Sequence, residues 1–369
     1  MAEALKHFLS PALVQRIGAD FLRVWPAFPL QAFLRAATTD LEDRELLDRG
    51  RQVGAALDRS LPPDPEGLRL ALRSFGPELS SPDGQGMSGF YYLPHSDLLL
   101  RRGPGADPEL AWAANHALTQ RFTAEFSLRP LLDQDPEGSL QRLEAWARDP
   151  SQHVRRAASE ATRPRLPWAP RMKVFPKYVQ HTLKILSILR DDPELYVRRS
   201  VANHLNDIGK DNPELLLSVC TEWRRDAPAT RLALLRHALR DRVKKGDSRA
   251  LALVGAEGGE QLQAEGRLSE HHLRIGDKVQ VEVAVTNPSG EPVQAEVDLV
   301  VHFIKANGKS APKVFKGAQL LLQPGQTQHF RRTVSFAVHS TRQPYPGSHR
   351  LEIQVNGRLL PLGTLELHA

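Results

Sequence analysis

Two stretches, 149-DPSQHVRRAASEATRPR-165 and 192-DPELYVRRSVANHLNDIGKDNP-213, carry one pattern twice. Val154 matches Val197 at an offset of 43 residues, which also sets Asp149-Pro150 on Asp192-Pro193 and Arg155-Arg156 on Arg198-Arg199. A repeat near 40 residues with two helices in each unit is the signature of a HEAT-type solenoid. In the second copy Val197, Val201, Leu205 and Ile208 recur at i, i+4, i+8 and i+11, the spacing of one buried stripe. Arg199, Asn203 and Asp207 form a second column about a third of a turn away, and Arg156, Glu160 and Arg163 form its counterpart in the first copy.

Such a charged column is ordinarily a solvated helix face. Two features point elsewhere. The Arg-Arg pair returns at the same phase, and planar guanidinium groups suit repeated phosphate contacts. Carboxylates stand among these arginines, although a surface built only to hold a polyanion gains nothing from Glu160 or Asp207. The pattern predicts a reaction centre beside a phosphate clamp.

Working outward, residues 1–75 read as amphipathic helices at Ala4–Arg23, Pro29–Thr38, Leu41–Arg59 and Pro65–Phe75, separated by proline turns. Gly76–Gly105 is rich in Gly, Pro and Ser and reads as a connection that packs Phe90, Tyr91 and Tyr92, with His95 structural. Asp107–Asp133 is helical and sets Glu125 beside an apolar face, either solvated or held in a restricted pocket. Trp168, between Pro167 and Pro170, is expected in an extended segment, as a core plug or as a platform for a cation or a sugar. A more diverged third copy, Ala227–Asp247, places Arg236, Arg240 and Lys244 in a basic row.

Near Gly255 the period changes from helical to two. KVQVEVAVT, AEVDLVVHFIK, HFRRTVSFAV and HRLEIQV read as strands, and Asn307-Gly308 and Asn356-Gly357 as hairpin turns. The expected organisation is an all-α HEAT-like repeat solenoid over residues 1–255, a linker over 256–265 and an all-β immunoglobulin-like sandwich over 266–369. IKANGKSAPKVFKG reads as a lysine-bearing loop, either edge protection or a second nucleic-acid contact.

The chain has 369 residues and a formal charge of +6. The basic excess lies in the repeats, where residues 101–257 carry 27 basic against 20 acidic side chains. One cysteine, Cys220, excludes an intrachain disulfide and a thiolate metal cluster. No apolar run suits a membrane span, and a cytoplasmic protein, as a monomer, is expected.

The segments FTAEFSLRPLL, VRRAASEATRPRLPWAPR and DDPELYVRRSVANHLNDIGKDNP closely resemble the AlkC branch of the AlkC/AlkD DNA glycosylases over roughly residues 1–255. The β-rich tail resembles the immunoglobulin-like extension of some AlkC members. The resemblance implies a monofunctional base-excision-repair hydrolase acting on double-stranded DNA that carries N3-methyladenine or N3-methylcytosine, without base flipping and with no metal or cofactor. It further implies Glu125, Glu160 and Asp207 as catalytic carboxylates and Trp168 as the aromatic at the lesion sugar. Arg156, Arg163, Arg199, Asn203, Lys210, Arg240 and Lys244 are the expected DNA contacts, with Arg156, Arg163 and Arg199 also keeping the nearby carboxylates ionised. AlkD members carry a tryptophan where this chain has Asn203, so their two-tryptophan cradle does not transfer. Two readings from other classes stay open: a HEAT-repeat scaffold for a protein partner, and a catalytically silent binder of damaged DNA.

Overall fold

The computed structural model describes residues 5–76, 86–172, 175–339 and 342–369. Residues 77–85 of the expected Gly76–Gly105 connection, residues 173–174, and Ala4 at the start of the first expected helix lie outside the described residues. The helices are α1 Pro11–Val24, α2 Leu30–Thr38, α3 Leu46–Ser60, α4 Glu66–Ser74, α5 Leu93–Arg102, α6 Pro108–Thr119, α7 Glu125–Gln134, α8 Pro136–Trp146, α9 Gln152–Ala161, α10 Phe175–Leu189, α11 Leu195–Asp211, α12 Pro213–Arg224, α13 Ala229–Lys244 and α14 Ser248–Leu253. The strands are β1 Gln263–Leu268, β2 His272–Arg274, β3 Lys278–Thr286, β4 Val293–Ile304, β5 Ser310–Leu322, β6 Thr327–Ser335, β7 Gly347–Val355 and β8 Arg358–His368. The chain is therefore a helical repeat followed by a β-sandwich. No helix among the described residues is long and apolar enough to cross a membrane.

Local chemistry explains where the helices begin. Asp107-Pro108, Asp135-Pro136 and Asn212-Pro213 each place a side-chain acceptor at the N-cap and a proline at the first helical position, where no backbone donor is needed. Their caps accept from Leu110 N at 2.9 Å, Gly138 N at 3.0 Å and Leu215 N at 3.1 Å. Asp149 and Asp192, heading the two copies, instead close turns on Ser151 N and Glu194 N. Inside the helices, Val197, Val201, Leu205 and Ile208 are all buried, as their spacing predicts.

Packing divides the chain into two compact units, residues 1–207 and 208–369. In the first, α3 packs on α5, α5 on α7 and α7 on α9 in succession. The row extends to α11, where Ser200 Oγ donates to Ser159 Oγ at 2.8 Å. The expected connection after Gly76 is more regular than its composition suggested. Residues 86–92 form a 3-10 turn that runs directly into α5, and Tyr91, Tyr92 and His95 are buried together.

In the second unit, α12, α13 and α14 associate with the sandwich. Secondary structure changes between Leu253 and Gln263, whereas packing divides earlier, after Asp207. β1 also begins inside the stretch read as linker. A three-stranded sheet, β1-β3-β6, and a five-stranded sheet, β2-β8-β7-β4-β5, enclose an apolar core. β3 shows why the period is two: Val279, Val281, Val283 and Val285 point into that core while alternate residues face outward. Asn356 and Gly357 have φ of +45° and +85°, the left-handed pair a two-residue turn between β7 and β8 requires. The lysine-bearing segment after Ile304 is mostly strand, because Asn307-Gly308 turns the chain straight into β5. Gly317 is the extra residue of a bulge there, and a Cβ at that position would meet Val297 O at 2.4 Å.

Candidate active site

The row α7, α9, α11 brings three carboxylates and two guanidinium groups into one buried line. Glu125 opens α7, where a helix N-terminus favours negative charge. Its Oε1 lies 3.6 Å from Arg156 Nη2 on α9, and the same nitrogen lies 4.0 Å from Glu160 Oε1. Glu160 Oε2 then accepts from Arg163 Nη1 at 2.9 Å, and Arg163 Nη2 reaches Asp207 Oδ2 on α11 at 2.8 Å. Glu125, Glu160 and Asp207 are 5%, 3% and 2% exposed, so they are held away from bulk water.

Burial pushes the Glu125 carboxyl above the ordinary glutamate range, opposed by Arg156 and reinforced by Glu160. For Arg156, burial works toward a lower pKa, but Glu125 and Glu160 outweigh it and hold the guanidinium above its usual value. Arg163 behaves alike, with Glu160 and Asp207 overcoming its burial. One oxygen of Glu125, Oε2, is buried and accepts no hydrogen bond among the described residues. The row thus alternates carboxylates with guanidinium groups and leaves a buried acceptor at one end. No group of His, Cys, Asp and Glu among the described residues is arranged to hold a metal ion.

This geometry gives several of the arginines partners within the fold. Arg156 and Arg163 pair with the carboxylates of the row, as expected of them beside phosphate contact. Arg236, read as part of a basic row, pairs with Glu296 and donates to Val254 O. The repetition of Arg-Arg has a second cause as well. Arg155 Nη1 donates to Asp149 O and Pro150 O, both at 2.9 Å, and Arg198 Nη1 donates to Asp192 O at 2.5 Å and Pro193 O at 2.8 Å. The first arginine of each pair ties the helix to its own Asp-Pro entry. Arg155 also grips the Asp192 carboxylate at 2.6 Å, linking one copy to the next.

Arg199, Lys210 and Lys244 are exposed, while Asn203 and Arg240 are half-buried. Lys210 lies 3.6 Å from Asp241. In the second unit, Arg240 and Lys244 of α13 line a cleft with Lys316 of β5. Trp168 is neither extended nor a core plug. It sits in a turn at φ +65°, in the left-handed region a bulky residue adopts only under constraint, and is 62% exposed.

Two residues of this site have no signal in the repeat pattern. The Arg156 Cζ lies over the Tyr196 ring, 4.9 Å from its centroid, a cation–π contact beside Glu125 and Glu160. Arg129, one helical turn after Glu125, donates to Arg163 O at 3.2 Å and to Pro170 O at 2.9 Å. The i, i+4 spacing of Glu125 and Arg129 is the only trace of the second in the sequence.

Comparison with known proteins agrees with this architecture. Residues 114–240 match the family model described as DNA alkylation repair enzyme, and residues 263–369 match the C-terminal Ig-like domain of the uncharacterised protein YhaZ. The uncharacterized protein YhaZ of Bacillus subtilis is 33% identical over 359 residues, covering 96% of this chain and 97% of that protein. The Pseudomonas fluorescens alkylpurine DNA glycosylase AlkC, solved bound to DNA containing an abasic site analog, is 34% identical, with 100% of both chains covered and a TM-score of 0.91.

Proposed function

The chain belongs to the AlkC family of DNA alkylation repair enzymes, and from that premise we propose that it is a monofunctional DNA glycosylase. Its substrates are cationic alkylated bases in double-stranded DNA, N3-methyladenine and N3-methylcytosine, cut without rotating the base into a pocket. The observation that carries this reading is the buried row in which Glu125, Glu160 and Asp207 alternate with Arg156 and Arg163.

An N3-alkylated base is already positively charged and leaves neutral. The enzyme therefore need not protonate it. Positive charge grows instead on the deoxyribose, and fixed carboxylates in a dry site stabilise that charge, while one of them orients or deprotonates the attacking water. Arg156 and Arg163 aim the carboxylates and favour their charged form, beside the phosphate contacts expected of them. Trp168, exposed at its turn, supplies a ring face to the sugar. Arg199, Asn203, Lys210, Arg240 and Lys244 supply the contacts to the DNA backbone. A HEAT-repeat scaffold would not require carboxylates buried at a desolvation cost of several kcal/mol per ion.

Incubation of the protein with methylated DNA, followed by mass spectrometry of the released bases, tests the reading. Free N3-methyladenine and N3-methylcytosine are expected, and absence of both overturns it.

A further inference from the structure

We propose that Arg129 is a positioning residue that sets both the Trp168 turn and the arginine between Glu160 and Asp207, acting through two backbone carbonyls. The inference rests on the functional reading above for its kinetic arm and on geometry alone for its structural arm.

The segment from Arg163 to Pro170 has a particular weakness. Pro164, Pro167 and Pro170 supply no backbone N–H, so the segment cannot build a ladder of its own. Its internal support includes the backbone bond from Ala169 N to Leu166 O at 3.3 Å, which closes the turn at Trp168. Yet it must hold Trp168 in a left-handed conformation with the ring mostly in solvent, a state that persists only where the surroundings impose it.

Arg129 provides that constraint from below. Arg129 as a whole is 7% exposed, and its guanidinium donates to Arg163 O at one end of the segment and Pro170 O at the other. Two nitrogens of a rigid planar fork thereby fix the distance between the ends. No carboxylate among the described residues forms an ion pair with it, and burial draws its pKa below the usual arginine value, with Asp133 opposing. A buried cation without a direct ion pair is costly to retain, which is consistent with a role for its donors. Arg163, whose carbonyl is gripped, is also the residue whose side chain spans Glu160 and Asp207. One buried fork thus references the exposed ring and the buried carboxylates to α7, the helix that carries Glu125.

The test uses the full chain with Arg129→Met, and Arg129→Lys as a partner that keeps the charge but loses the fork. Hydrogen–deuterium exchange of peptides covering 163–172 should rise at Ala169 in Arg129→Met, with exchange in the sandwich unchanged. Single-turnover excision of N3-methyladenine should fall by about tenfold to a hundredfold, the range for a small misplacement of reacting groups, while DNA affinity stays within about threefold. In a Trp168→Ala background the same substitution should cost clearly less than in the wild type, because part of its effect is already lost. Unchanged exchange over 163–172, or fully additive losses, overturns the proposal. Should Arg129→Met fail to fold, the same two criteria apply to Arg129→Lys, which can keep one carbonyl contact and not both. If the wild-type protein releases no alkylated base, the functional reading falls while the exchange result still decides whether Arg129 holds the turn.

Discussion

The carboxylate row and the sandwich core are both buried, and they are built from opposite materials. The sandwich core is a cluster of Val, Leu, Ile and Phe in which Val281, Val283, Leu299 and Phe336 are almost fully enclosed. The row in α7, α9 and α11 sets five charged side chains in one short line, four of them buried and Arg156 half-buried. Apolar burial contributes about 25 cal/mol per Å² and demands nothing of its neighbours beyond shape. Buried ions must recover their desolvation cost from one another, and hydrophobic replacements are often no less stable. One region is composed for stability, and the other departs from that composition at the positions where chemistry is proposed.

The contrast can be broken from either side. Phe336→Ala should remove about 3–5 kcal/mol of stability, measured by denaturant unfolding, and leave single-turnover excision per folded molecule unchanged; a parallel loss of rate would mean that the core serves the site directly. Asp207→Asn and Glu125→Gln should do the reverse, lowering excision by about 10²–10³-fold with DNA affinity within about threefold. The same carboxylate sets the acid side of the rate profile. Because burial raises the Glu125 pKa and the proposed role needs it ionised, wild-type excision should fall away at a pH above the 4.5 of an ordinary glutamate. An acid limb at or below that value would remove Glu125 from the chemistry.

A smaller effect concerns stability in acid. His95 is wholly buried among Phe21, Phe75, Tyr91 and Tyr92, and burial lowers its pKa from 6.5 to about 4. A depressed histidine stabilises the fold above its unfolded value and loses that contribution as pH falls toward the folded one. Stability should therefore decline by about 3 kcal/mol between pH 6.5 and 4, and His95→Gln should flatten that decline in melts taken across the range. Smallest is the change expected from Arg199→Ala. Binding to undamaged duplex should weaken, and the slope of log affinity against log salt should shrink by about one phosphate contact; an unaltered slope takes Arg199 off the DNA.

Some of this was legible before any coordinates. The stripe from Val197 to Ile208, strand β3 from Lys278 to Thr286 and the Asn356-Gly357 turn follow from period and turn chemistry alone. Strand β5 did not, because Pro312, Lys313 and Lys316 hide its alternation, and only the turn before it announces a partner. That the two guanidinium groups of the row stand beside carboxylates was expected, but which carboxylate each one takes was not, for a definite reason. Helical spacing states which face a side chain leaves from, and a long flexible arginine then chooses among acceptors that lie 30 or more residues away in sequence, as Arg156 does with Glu125 and Arg163 with Asp207. The Trp168 turn was hidden too, since proline rules exclude a helix there without selecting a left-handed φ.

The alternation of charge in the row has an arithmetic that bears on selectivity. Counted fully ionised, Glu125, Arg156, Glu160, Arg163 and Asp207 sum to a single negative charge, one cation short of neutrality. On the proposed reading, a methylated base arrives with that missing cation and an intact base does not. As the bond breaks, the unit of charge passes from the departing base to the sugar, so the balance in the row is kept throughout the step. Undamaged DNA, which brings only phosphates, would leave the deficit standing, and recognition of damage would begin as electroneutrality before any atom of the methyl group is touched.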